Sequence, residues 1–381
     1  MNQKTTENIA LTLTPQGLIP AFNALGNHPA DLREFIQNDV HEAYRRLGIL
    51  ERFPQDQQIL LNAISDLNKK PSHFEGHHIA THAMRKVLRL LIDTFVRIDE
   101  CTMYGMEHYE KAIQLTKLGH NVLIIQNHTS ALDALVAETL IQKHFGKDLP
   151  VSYIISQVFE YARIASLITS GIDKFPVFQP KHIALINNKD ESGAVRKMKE
   201  QNIIALRALG KHVGCGGKMI FLYPEKSRTS EMREPEPVVM KIPELLQIAS
   251  PKPLYVLSTF VTGLETILPN HPGTNELDDF FKNISVGQGD LYCGQPIEFA
   301  KILEVLSSVD QKELSQAIPN SKYIGGESQR LAALSVLMVG LIAHAGPVHS
   351  DKGMYGNAGV AKAVSSCFQS QGFALNNAMN N

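Results

Sequence analysis

At 381 residues the chain is long enough for about two domains, and its 44% hydrophobic and 20% charged content is that of a globular protein. A net charge of -1 supplies no basic field, which argues against nucleic acid as a partner. Cys101, Cys215, Cys293 and Cys367 lie far apart with no Cys-x-x-Cys pair, which favours reduced thiols over a disulfide framework or a cysteine zinc site.

Met1 to Ile9 is polar, lacks the apolar stretch of a secretory leader and is poor in arginine, so a cytoplasmic location is expected. From about Pro29 to Lys70 apolar residues recur at helical spacing: Leu32, Ile36, Val40, Tyr44 and Leu47, then Ile59, Leu60, Ile64 and Leu67. Residues 1–72 are expected to form a small helical domain, joined through Pro71-Ser72-His73-Phe74-Glu75-Gly76 to an α/β domain over 73–381. A long helix is expected from about Ala80 to Thr94. Strands are expected near 121–126, 151–155, 175–178, 218–223, 254–261 and 286–292, alternating with helices. That alternation predicts an α/β fold, a mixed sheet flanked by helices. Leu331 to Ala345 is uncharged but only 15 residues long and is broken by Gly346-Pro347, short of the ~20 residues of a membrane span, so a buried core helix is expected. The last thirty or so residues, rich in Gly, Ser, Asn and Ala, are expected to form a loosely packed tail.

The most informative element is Asn127-His128-Thr129-Ser130-Ala131-Leu132-Asp133, directly behind the apolar run Val122-Leu123-Ile124-Ile125. The run reads as a buried strand and Ser130 onward as a helix, which places His128 in the connecting loop and Asp133 in the first helical turn. Were both helical, a separation of five would set their side chains about 140° apart. With His128 outside the helix they can meet, and a carboxylate that fixes an imidazole tautomer equips it to take a proton from an alcohol. A second reading of the same residues is a capping pattern, in which Asp133 satisfies amides at the helix start.

His73, His77, His78 and His82 form the densest histidine group, with His78 and His82 expected on one helix face; no third ligand is suitably spaced, so packing rather than metal is expected. Gly214-Cys215-Gly216-Gly217-Lys218 fails as a phosphate loop, because His212 stands at its first glycine and Met219 follows the lysine; a tight turn is expected. There is no Gly-x-Ser-x-Gly elbow and no cysteine near a base in sequence, which disfavours a covalent acyl-enzyme. Two basic spots follow strand-like runs: Lys181-His182 after Phe175-Pro176-Val177-Phe178, and Lys226 with Arg228 after Met219 to Tyr223. Strand ends are where α/β proteins gather ligands, so a base beside an anion pocket is expected, as an alcohol that carries a phosphate requires.

These blocks together resemble the glycerol-3-phosphate acyltransferases, specifically the soluble plastid-type branch and its bacterial relatives. The resemblance runs in order from about residue 70 to 265: His77-His78 ahead of a long helix, Leu118-Gly119-His120-Asn121-Val122, the His128 to Asp133 block behind Asn127, Lys181-His182, and Pro224 with Arg228 after a Gly-Gly turn and an apolar strand. It implies a two-domain enzyme that needs no cofactor or metal, with His128 as general base toward the sn-1 hydroxyl of glycerol 3-phosphate and Asp133 orienting it. Lys181, His182 and Arg228 would hold the glycerol phosphate, and acyl carrier protein or coenzyme A would deliver the acyl thioester. Backbone amides at the start of the following helix are expected to stabilise the oxyanion, and a lipid product implies transient contact with a membrane surface. Two departures stand out. Ala131-Leu132 replaces the family's acidic residue and alanine, and Ser230 replaces a second arginine, leaving Lys226 or Arg233 to complete the phosphate site. The rival readings are the same fold acting on another acceptor such as lysophosphatidate, and a non-catalytic module that binds lipid or acyl carrier protein.

Overall fold

A computed structural model describes residues 33–67, 76–130, 132–146, 149, 151–157, 169–179, 183, 192–224, 237–268, 284–316, 326–347 and 358–375. Helices come first: a π-helical stretch, Ile36–Val40, runs into α1 (His41–Arg46), followed by α2 (Phe53–Leu67) and α3 (His82–Phe95). Then come β1 (Met103–Tyr104), α4 (Met106–Lys117), β2 (Val122–Gln126), α5 (Asp133–Phe145), β3 (Val151–Ser156), β4 (Lys174–Val177), α6 (Ser192–Gly214) and β5 (Met219–Leu222). The remainder is α7 (Lys241–Ala249), β6 (Tyr255–Thr262), α8 (Leu264–Ile267), β7 (Asp290–Cys293), β8 (Ile297–Glu298), α9 (Phe299–Ser308), α10 (Gln311–Gln316), α11 (Gly326–Ala345) and α12 (Ala358–Ser370). The fold is α/β, with parallel and antiparallel strand pairs flanked by helices, as the alternation predicts.

The chain divides into two compact units, each assembled from separated segments. The first comprises Met1–Val96, Ser152–Leu209 and Ile267–Val286. Within it Ile36, Val40 and Tyr44 are buried at a spacing of four, one stripe on a helical surface. The Tyr44 hydroxyl donates to Asp56 Oδ2 at 2.5 Å and lies 3.3 Å from Thr94 Oγ1, which ties α1 to α2 and α3 through a polar knot in an apolar core. Burial, with that bond to Asp56, holds the phenol well above its ordinary value, so it stays a donor. Helix α3 starts where Thr81 Oγ1 accepts the Met84 amide at 3.3 Å. That cap leaves His78 outside the helix, in an antiparallel bridge to Lys174, and His77 stacked on Phe175 with centroids 4.2 Å apart. The expectation that His78 and His82 share a helix face is therefore corrected. β3 and β4 pair in parallel, Tyr153 opposite Lys174.

The second unit comprises Arg97–Val151, Gly210–Thr266 and Gly287–Asn381. Its strands run in the order β1-β7-β6-β2-β5, with β8 also on β6. β2 lies between β5 and β6, parallel to both, and Val122, Leu123, Ile124 and Ile125 are all 0% exposed. A strand covered on both faces needs such an unbroken apolar run, and each side chain contributes about 1.5–3 kcal/mol by burial. The Gly-Gly turn into β5 is as tight as expected. Gly216 and Gly217 have φ of 70° and 69°, and side chains there would meet the Gly119 and Thr116 carbonyl oxygens at 2.6 and 2.8 Å. α11 is the buried core helix that the composition predicts. It is one helix long and apolar enough to cross a membrane, but every residue from Leu331 to Ile342 is buried inside the protein.

The expected loose tail is corrected by α12. Val360, Val364 and Phe368 are buried at a spacing of four, and α11 approaches so closely at Gly340 that a Cβ there would meet Val364 Cγ2 at 2.2 Å. A small residue on one helix and a β-branched residue on the other make the contact; the surrounding Gly, Ser and Ala hide it in the composition.

Two predictions follow from these cores. Tyr44→Phe removes the donor to a buried carboxylate and should cost about 1.5–3 kcal/mol in a urea titration, the range for a bond to a charged group. His344 and His108 are both held below the ordinary histidine value by burial. Above about pH 6.5 both states carry neutral rings; below it the unfolded chain takes protons that the folded one refuses, so stability falls as pH drops from there. His344→Leu should flatten that acid-side loss when unfolding free energies are compared at about pH 7.5 and 5.

Candidate active site

The site grows out of the C-terminal end of β2. Asn121 opens the strand: its Nδ2 donates to the Val213 carbonyl and to Ser250 Oγ, both at 2.8 Å, while its Oδ1 accepts the Lys218 amide at 2.9 Å. Asn127 closes it. The side-chain amide mimics a backbone unit, donating to the Val261 carbonyl at 2.8 Å and accepting the Val261 amide at 2.7 Å. The ladder to β6, which pairs Gln126 with Thr259, is thus carried one step further by a side chain. Both asparagines are 0% exposed, so the loop that follows leaves from a fixed point.

His128 and Asp133 meet in that loop: His128 Nδ1 lies 3.2 Å from Asp133 Oδ2. Asp133 is 0% exposed and His128 20%. The same Oδ2 accepts the Thr129 amide at 2.6 Å and the Ser130 amide at 2.9 Å, and Oδ1 lies 3.3 Å from Thr129 Oγ1. α5 begins at Asp133, three residues later than the pattern suggests, because the Thr129 and Ser130 amides turn onto the Asp133 carboxylate, which lies against the imidazole. The catalytic and capping readings describe one arrangement. Asp133 reaches back to the loop amides as a cap does and holds the imidazole with the same oxygen.

The tautomer follows from the partners. An ionised carboxylate only accepts, so the ring nitrogen facing it carries the proton, and Nε2 keeps its lone pair. A neutral imidazole in that tautomer is built to take a proton. Of the amides ahead of α5, those of Thr129 and Ser130 are turned onto Asp133, and that of Leu132 is directed at Ser130 Oγ, 3.3 Å away.

Tyr223, one residue past β5, stacks on the His128 ring with centroids 4.3 Å apart and planes at 28°. Its hydroxyl is buried without a hydrogen-bond partner among the described residues. Burial and the charge of Asp133 keep the phenol well above its ordinary value, hence neutral. Nothing in the sequence marks Tyr223; an aromatic residue before a proline at a strand end is compatible with many roles. Lys181, His182, Lys226, Arg228 and Arg233 lie outside the described residues.

No protein-family model matches this chain, and no curated protein matches it significantly.

Because Asn127 replaces a ladder pair with its side chain, Asn127→Ala would leave the Val261 amide and carbonyl unpaired in the core. A loss of about 2–4 kcal/mol is expected by urea titration, since each stranded polar group costs about 1–3 kcal/mol.

Proposed function

We propose that this chain is an acyltransferase that moves a fatty acyl group from an acyl thioester, on acyl carrier protein or coenzyme A, to the sn-1 hydroxyl of glycerol 3-phosphate. The observation that carries the reading is the contact between His128 Nδ1 and Asp133 Oδ2, with the carboxylate sealed from solvent and the imidazole partly open to it. In this reading Nε2 takes the hydroxyl proton as the oxygen attacks the thioester carbonyl. The tetrahedral intermediate then collapses, the carbon–sulfur bond breaks, and the departing thiolate recovers the proton from the imidazolium. Asp133 offsets the positive charge that the ring carries between the two transfers. No covalent acyl-enzyme is needed.

By resemblance, Lys181, His182 and Arg228 hold the acceptor phosphate, with Lys226 or Arg233 in place of the arginine that Ser230 supplants. In the same reading the enzyme works in the cytoplasm at the first step of phospholipid synthesis, touches the membrane surface transiently and uses no cofactor. Ser230 is also the feature that favours a second reading, an acceptor other than glycerol 3-phosphate such as lysophosphatidate.

Purified protein supplied with glycerol 3-phosphate and either thioester should release free thiol and form the lysolipid. His128→Ala should lower turnover by roughly two to four orders of magnitude, the usual contribution of a general base, with the fold retained. Near-normal turnover in His128→Ala would sink the mechanism. Transfer to lysophosphatidate but not to glycerol 3-phosphate would establish the second reading. Arg228→Lys should raise the Michaelis constant for the acceptor while leaving that for the thioester near its wild-type value, because the guanidinium fork grips phosphate at two points and an ammonium does not. A selective change in the thioester constant would move Arg228 out of the phosphate site.

A further inference from the structure

The His128–Asp133 contact fixes one atom of the imidazole. A single hydrogen bond of 3.2 Å leaves the ring free to swing about the line from Nδ1 to Oδ2, and that swing would move Nε2. A flat surface against the ring removes the freedom, and Tyr223 supplies one at 4.3 Å. We propose that Tyr223 is a positioning residue for His128: its ring face sets the plane of the imidazole, so that Nδ1 stays on Asp133 and Nε2 is presented as the basic nitrogen. The inference rests on reading His128 as a general base and adds to it the residue that aims the base.

Two features hold Tyr223 itself in place. The parallel register of β5 on β2 sets Leu222 opposite Ile125, so Tyr223 comes next to Gln126, two residues before His128. Tyr223 thus sits beside the end of β2 where the loop carrying His128 begins, and the two rings meet there. Pro224 follows and is buried, and a proline disfavours helical backbone at the residue before it, which favours the extended course on which Tyr223 leaves β5. Its hydroxyl is shielded from solvent with no partner among the described residues, so it is the ring, not the oxygen, that acts on His128. A phenol is also the electron-rich face that suits a ring taking on positive charge.

The test uses the full chain labelled with nitrogen-15 at histidine. Long-range proton–nitrogen spectra of the resting protein report which nitrogen of His128 carries hydrogen, with no need of turnover. Wild type and Tyr223→Phe, which keeps the ring, should both show hydrogen on Nδ1. Tyr223→Leu and Tyr223→Met, apolar variants without a flat face, should show a mixture of tautomers. In acyl transfer these two should lose about tenfold to a hundredfold in kcat, a loss in line with misplacing a catalytic group by a fraction of an ångström to an ångström. Their KM values should change less than twofold, and Tyr223→Phe should restore kcat with an equal or higher melting temperature. Wild-type tautomer and kcat in a folded Leu or Met variant would overturn the proposal. A tautomer shift in those variants alongside a wild-type protein that transfers no acyl group would support the positioning of His128 by Tyr223 and overturn the acyltransferase reading instead.

Discussion

A carboxylate with no access to water must be met by donors, or its charge is too costly to keep inside a protein. Asp133 is in that position, and the donors that meet it are the two backbone amides of Thr129 and Ser130, the Thr129 hydroxyl and the His128 ring. The loop between β2 and α5 takes its shape from this requirement. To satisfy one oxygen, the chain must turn its amides inward over two consecutive residues, which brings His128 across the turn and delays the helix to Asp133 itself. The geometry of the His128–Asp133 pair and the local folding are thus one event: the carboxylate that closes the loop is the one that orients the imidazole.

The loop can be this exacting because the strand beneath it is immobilised at both ends. Four aliphatic side chains bury β2 on both faces, while Asn121 and Asn127 bind it to backbone groups of neighbouring segments at its entry and exit. Neither asparagine could be exchanged for an apolar residue of similar size without stranding the groups it serves. A polar residue fully buried at each end of an apolar strand is costly unless satisfied; satisfied, it fixes the register and leaves no slack to pass on to His128.

How much of this could be read in advance depends on whether the determinant is local. β2 and β6 were legible because their apolar runs are long and unbroken, and the pairing of His128 with Asp133 was legible because strand, loop and helix follow one another within a dozen residues. β1 and β8, two residues each, are strands only because a partner lies beside them, and no pattern of two residues can say so. The run expected at 286–292 settles instead at Asp290–Cys293; just ahead of it the backbone approaches β6 so closely that a side chain at Gly289 would meet the Thr262 carbonyl oxygen at 2.6 Å. α12 was missed for another reason. Its buried stripe, Val360, Val364 and Phe368, has the proper spacing, but is diluted by the small residues that let two helices come close. The start of α5 was placed at Ser130 because serine is a favoured cap, whereas the acid three residues on controls the turn.

Tyr223 marks the boundary of what a linear reading can reach. It comes to His128 through the register of two strands ninety-odd residues apart in the chain. Its hydroxyl is buried with no hydrogen-bond partner among the described residues. In a core, a buried hydroxyl without a partner is costly; beside an imidazole the ring has a reason, because under the proposed role of His128 the imidazole must be held in plane without a second acceptor that would compete for the hydrogen on Nδ1. A flat ring stacked on the imidazole meets both conditions, while a side chain that accepted a hydrogen bond from the imidazole would violate the second.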